Sequence, residues 1–189
     1  AIEDIEFTTG ATVEPMIATK CADCHGDTNM HGSYPIALSP DLCESCHDNE
    51  NQLEGHTSWA DRNWGYGAQP IVKRVHGIHY GKYVDKPEDI YVRLADHWAG
   101  IIFPQDVRNC VKCHSESDNW ISEPSRLACL ACHDSDGAQT HAALQTVDPT
   151  PTEPWNGDEV ETCKVCHGAG KDCAPNVVHN IWDPYVPPY

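Results

Sequence analysis

The chain has 189 residues, of which 40% are hydrophobic, yet it holds only 2 Phe and 2 Met beside 11 Cys and 12 His. One domain is the natural reading of this length, but a negative mean hydropathy leaves too little apolar side chain for an ordinary core, so something else must help to fill it. With 12 basic against 29 acidic residues the net charge is −17, which argues against nucleic acid or an anionic membrane as partner and favours cationic patches, metal ions and mineral surfaces.

Residues 1–20 are acidic and then β-branched around Gly10, and read as an extended arm. The pattern Cys-x-x-Cys-His follows at Cys21, Cys24 and His25, and returns at Cys43, Cys46 and His47. The short loop between, with Met30, His31 and Gly32, implies two sites in contact. A Cys-free insert over 48–106 carries His56, His76, His79 and His97; glycines and aromatic residues alternate through it. It reads as loops with one short helix near Ile71–Tyr80. On that helix His76 and His79 share a face, where they either serve two neighbouring metal centres or sit in solvent.

The third and fourth motifs, Cys110, Cys113 and His114, then Cys129, Cys132 and His133, echo the first pair and suggest a duplicated two-site unit. After them come a short helical stretch from His141 to Gln145 and a Pro-rich connector from Asp148 to Pro154, which favours extended backbone. The fifth motif is Cys163, Cys166 and His167. The tail from Trp182 to Tyr189 is too rich in Pro for a helix and is either a docking arm or a frayed end. No apolar run reaches the length of a membrane span. The expected organisation is an arm over 1–20, one unit over 21–180 and a tail over 181–189.

Chance placement of these Cys and His residues would give about 0.04 matches to the motif, so five matches point to c-type haem attachment. Two thiols three positions apart lie on one side of a helical turn and can both form thioethers to a porphyrin edge, while the next His reaches the iron. Zinc also uses Cys-x-x-Cys pairs, but it does not need a His at the fifth position of each. The expected cofactors are five covalent haem c groups. The expected fold is a multihaem cytochrome c, mostly loops with a few short α-helices wrapped around a chain of haems, and little or no β-sheet. Such haems are attached after export, so the sequence reads as a mature form of an extracellular or cell-surface protein, with the periplasm as the alternative.

Seven His lie outside the motifs: His31, His56, His76, His79, His97, His141 and His179. Seven candidates suffice for a second His on every iron, and a saturated iron has no room for substrate, which favours electron transfer over catalysis. A reductase with one open haem is the alternative, and Met16 and Met30 are the alternative sixth ligands. Cys173, the eleventh Cys, reads as a buried thiol or an intersubunit disulfide.

The stretch Val75-His76-Gly77-Ile78-His79-Tyr80-Gly81, followed by Phe103-Pro104-Gln105-Asp106-Val107-Arg108-Asn109-Cys110, resembles the outer-surface decahaem cytochromes of metal-reducing bacteria, the OmcA/MtrC family. Cys163 to Gly168 with His179 downstream, and Cys21 to His25 followed by His31-Gly32, are similar too. The resemblance covers about residues 20–180 and corresponds to one pentahaem half of such a protein. It implies that His31, His76, His79, His141 and His179 are the distal ligands and that electrons are carried outside the cell, to other redox proteins or to acceptors such as metal oxides. Family members also carry β-barrel domains, for which this sequence has no strand-rich stretch, so roles assigned to barrels do not transfer. His56 and His97 are surplus, which admits a head-to-tail filament in which one of them binds a haem of the next copy.

Overall fold

The computed structural model describes residues 21–26, 30, 38–47, 70–87, 99–104, 106–114, 117–151 and 159–179. The arm over 1–20, the tail over 181–189, His31, His56 and His97 lie outside them. The elements are α1 (Cys21–His25), α2 (Pro40–Glu44), α3 (Ile71–Tyr80) continued by a 3-10 turn (Gly81–Tyr83), a 3-10 turn at Cys110–Lys112, α4 (Asn119–Ser122), α5 (Arg126–Leu130), α6 (Asp136–Leu144), β1 (Thr146–Val147), β2 (Val160–Glu161), α7 (Lys164–His167) and α8 (Pro175–Val178). The strands pair antiparallel, Thr146 opposite Glu161 and Val147 opposite Val160. Among the described residues this is the whole of the sheet, in line with a fold of loops and short helices.

The helix expected near Ile71–Tyr80 is α3, the longest of these elements, and the fold is arranged along it. It starts where the second motif ends, since the Ile71 amide donates to the His47 carbonyl at 2.9 Å, and it packs on α2 and α5. It stops at Gly81, whose φ of +52° suits glycine. A Cβ there would stand 2.2 Å from the Ile101 carbonyl oxygen, so α3 and the segment before the third motif can close together only over a glycine.

Two departures from the sequence reading concern the stretch after the fourth motif. Helix α6 begins at Asp136, earlier than expected, because the Ser135 hydroxyl caps it by accepting from the Ala138 amide at 3.3 Å. The connector joins the two strands and bends at its start, where the Thr150 amide donates to the Asp148 carboxylate at 2.8 Å. That side-chain turn competes with the extended backbone that proline favours. Cys173 is exposed rather than buried. It lies in the turns between α7 and α8, and its carbonyl accepts from His167 Nδ1 at 2.9 Å.

The apolar core is as thin as the composition implies. Among the described residues only Val84, Ile121, Ala131, Ala142 and Ala174 are buried apolar side chains, three of them alanines. Ile102, Leu144, Val147, Val160 and Val165 are exposed. The apolar side chains buried among the described residues contribute too little to offset the entropy of ordering them.

Candidate haem centres

Each motif is a single helical turn. The amide of the motif His donates back to the carbonyl of the first Cys in four of them, His47 to Cys43, His114 to Cys110 and His133 to Cys129 at 2.8 Å, and His167 to Cys163 at 2.9 Å. This turn brings both thiols and the imidazole to one place. None of the eleven cysteines is in a disulfide, and ten of them belong to the motifs.

Four motif histidines face a histidine from elsewhere in the chain. The ring centroids of His25 and His79 are 6.0 Å apart with planes at 64°, and those of His114 and His76 are 6.0 Å apart at 6°. His133 faces His179 at 6.0 Å and 25°, and His167 faces His141 at 6.2 Å and 80°. Two imidazoles on opposite sides of one metal atom should have centroids about 6.3 Å apart, from two bonds of about 2.0–2.1 Å and about 1.1 Å inside each ring. The observed separations therefore leave room for one metal atom between each pair of rings. His47 is the fifth motif His, and His31, the remaining distal residue implied by the resemblance, lies outside the described residues.

Three of these rings are fixed so that Nδ1 is used and Nε2 is left over. His76 Nδ1 donates to the Val72 carbonyl at 2.7 Å, His79 Nδ1 to Val75 at 2.8 Å, and His167 Nδ1 to Cys173 at 2.9 Å. A proton held at Nδ1 leaves the Nε2 lone pair for a metal. Burial pushes the pKa values of His76, His79 and His179 down, and that of His114 down to about 4, with His76 as a second cause. These imidazoles are neutral at pH 7, which ligation requires.

The thiols show which motifs lie near one another. Burial is the first cause that raises Cys43, Cys113, Cys129 and Cys132, and neighbouring thiols add to it. Cys43 feels Cys21, and Cys113 feels Cys21 and Cys24. Cys132, pushed up to about 12, feels Cys129 and then Cys110. Cys129, pushed up to about 11, feels Cys163. The motifs are thus neighbours in the sequence second, first, third, fourth, fifth. Side chain to backbone bonds hold this row together: the Arg126 amide beside the fourth motif donates to Glu161 beside the fifth at 2.7 Å, and the Lys86 amide after α3 donates to Asp134 at 2.7 Å.

The fit to haem rests on two further observations. The exposed apolar side chains and thin core suit a large apolar macrocycle. Finally, Trp120 Nε1, Asn176 Oδ1 and His179 Nδ1 are buried without a hydrogen-bond partner. Trp120 lies on α4 and Asn176 on α8, two helices packed together, and the Trp120 ring is 6.4 Å from that of His114. The Pro175 carbonyl is close enough to His179 to oppose the effect of burial on it, but its hydrogen bond goes to the His179 amide at 3.1 Å. Buried polar atoms are rarely left alone, and the carboxylates at a porphyrin edge would accept from the two ring N–H groups, Trp120 Nε1 and His179 Nδ1.

Of the distal residues implied by the resemblance, His76, His79, His141 and His179 each face a motif His. What sequence reasoning missed is the crossing at the C-terminal end, where His141 faces the fifth motif and His179, which follows the fifth, faces the fourth. It also missed the Cys173 carbonyl and Asp134, neither of which belongs to a recognisable pattern.

The family description "outer membrane cytochrome MtrC/MtrF-like, domains II/IV" matches residues 16–180. No curated protein and no solved structure matches the chain. A match over that much of the sequence, on a chain whose motif turns and facing imidazoles suit c-type haem, places this protein in the outer membrane cytochrome MtrC/MtrF-like family.

Proposed function

We propose that the protein transfers electrons at or outside the cell surface through five covalently attached haem c groups, each held between two histidines. Membership of a family of multihaem outer-membrane cytochromes supports the setting, and the single observation that carries the arrangement is the set of four facing imidazole pairs at 6.0–6.2 Å. When bound, the haems supply iron centres that take up and release single electrons.

The chain holds and orders those centres. Cys21 and Cys24, Cys43 and Cys46, Cys110 and Cys113, Cys129 and Cys132, and Cys163 and Cys166 provide the thioethers. His25 with His79, His114 with His76, His133 with His179, and His167 with His141 would hold four of the irons, and His31 would be left for the iron of His47. Helix α3 holds two distal ligands on one rigid element, which fixes the spacing of the first and third centres. Two histidines for each haem would leave no position for substrate, which supports a conduit over an enzyme. The net charge of −17 draws it to cationic patches on redox partners and to metal oxides. His56 and His97 are left over by this ligand count, and they are the groups that a head-to-tail filament would use between copies.

Intact mass and haem content test the cofactor count: the 20.9 kDa chain with five haems, about 3.1 kDa together, should weigh about 24 kDa. Mixing the reduced, haem-loaded protein with ferric citrate or ferric oxide particles should reoxidise all of its haem within one experiment. Reduced haem that persists in excess acceptor would contradict the proposed role. Native size of the same material reads the filament, as void-volume particles against a single species near that mass.

A further inference from the structure

Asp134 follows the motif His of the fourth centre and is one of two buried polar side chains among the described residues, 4% exposed. Its carboxylate accepts from the Lys86 amide at 2.7 Å. The Lys86 ammonium pairs with Asp136, which is exposed and lies on the first turn of α6. The Asp134 backbone is pinned as well, since Gln139 Nε2 donates to its carbonyl at 2.9 Å. Asp134 therefore sits at the junction of the segment after α3, the fourth motif and α6, with a hydrogen bond from the Lys86 amide.

Asp134 directly follows His133, the motif His of the fourth centre, so its buried carboxylate stands beside that centre.

From this placement we infer that Asp134 sets the reduction potential of the fourth centre, lowering it relative to its neighbours. The inference rests on the ligand assignment proposed above. A fixed negative charge in surroundings of low dielectric stabilises the more positive ferric state over the ferrous state, and the effect is stronger there than in water. Because the fourth centre stands between the third and the fifth, its potential governs passage to the C-terminal end of the row. Asp134 is a tuning residue, and it needs no contact with the iron to act.

The test is spectroelectrochemical titration of the haem-loaded protein and of three variants, Asp134→Asn, Asp134→Ser and Asp134→Glu, each with haem content and low-spin spectra recorded. Asp134→Asn keeps an oxygen acceptor for the Lys86 amide and removes the charge. One of the five components should move to higher potential, with the other four nearly in place. Asp134→Ser is the second neutral variant and should move the same component if the Asn protein loads poorly. Asp134→Glu retains the charge and should titrate close to the unaltered protein. Neutral variants with five low-spin haems and unmoved potentials would overturn the inference, as would a Glu variant that shifts as far as the Asn one. Failure of the ligand assignment itself is visible separately, as high-spin iron or fewer than five haems in the unaltered protein.

Discussion

Helix α3 and the C-terminal third solve one problem in two ways. Each delivers a second histidine to two motifs. Helix α3 does it with one ten-residue element, whose His76 and His79 are locked by their own helix carbonyls at 2.7 and 2.8 Å. The C-terminal third uses two separate elements, His141 from α6 and His179 at the end of the four-residue α8, and the two pairings cross. One arrangement fixes its ligands by local geometry. The other fixes them by long-range packing, through the β1–β2 pair, the Arg126 to Glu161 bond and the contact of α4 with α8.

The largest effect should come from removing what both regions share. Protein produced without haem attachment should show no cooperative thermal transition, because few apolar side chains are buried among the described residues. A sharp melt by circular dichroism in the haem-free chain would mean that the protein core suffices alone. Next in size is His76→Ala in haem-loaded protein. It should turn one iron of five high-spin and leave the His25–His79 pair intact, since α3 carries the two ligands independently; electron paramagnetic resonance reads the fraction.

Glycine replacements compare the two regions without touching a ligand. Gly81→Ala at the end of α3 combines a φ of +52° with a 2.2 Å clash on Ile101 and should cost about 2–4 kcal/mol in thermal unfolding. Gly170→Ala, between α7 and α8, has a φ of +75° but open space around it and should cost about 1 kcal/mol. Equal costs would show that the α3 junction is no tighter than the C-terminal turns. Loss of the α6 cap in Ser135→Ala should cost about 1 kcal/mol, seen as a lower melting temperature.

The smallest effect depends on pH. Asp106, before the third motif, is held below its ordinary pKa of 3.8, chiefly by the hydrogen bond from the Arg108 side chain at 3.0 Å. A folded-state value below the unfolded one gives stability that is present above about pH 4 and is lost as the pH falls through the lower, folded value. Asp106→Asn should therefore lower stability by about 0.5 kcal/mol at pH 7. Its unfolding curve should merge with that of the unaltered protein at acid pH. A difference that persists in acid would assign the effect to something other than this carboxylate.

The same contrast explains what was legible in the sequence. Helix α3 could be read because its signals are local: Pro70 before it, Gly81 after it and two histidines three positions apart between them. The motifs were legible for the same reason. The C-terminal pairing was not, because nothing near His141 or His179 says which motif it will face, and two short elements must dock before either does. Cys173 was misread because an unpaired Cys is usually buried, whereas here its backbone carbonyl holds His167. Asp134 carries no motif at all; its burial beside the Lys86 amide and α6 is visible only in the structure.

The central claim, that facing histidines hold the haem irons, is tested most directly by electron paramagnetic resonance of the oxidised, haem-loaded protein. Near-parallel imidazole planes on ferric haem give rhombic low-spin signals, and near-perpendicular planes give a highly anisotropic low-spin signal. With plane angles of 6° and 25° at the third and fourth motifs and 64° and 80° at the first and fifth, both classes should appear, with no high-spin iron. A high-spin signal in the unaltered protein, or low-spin signals of one class only, would contradict the pairing.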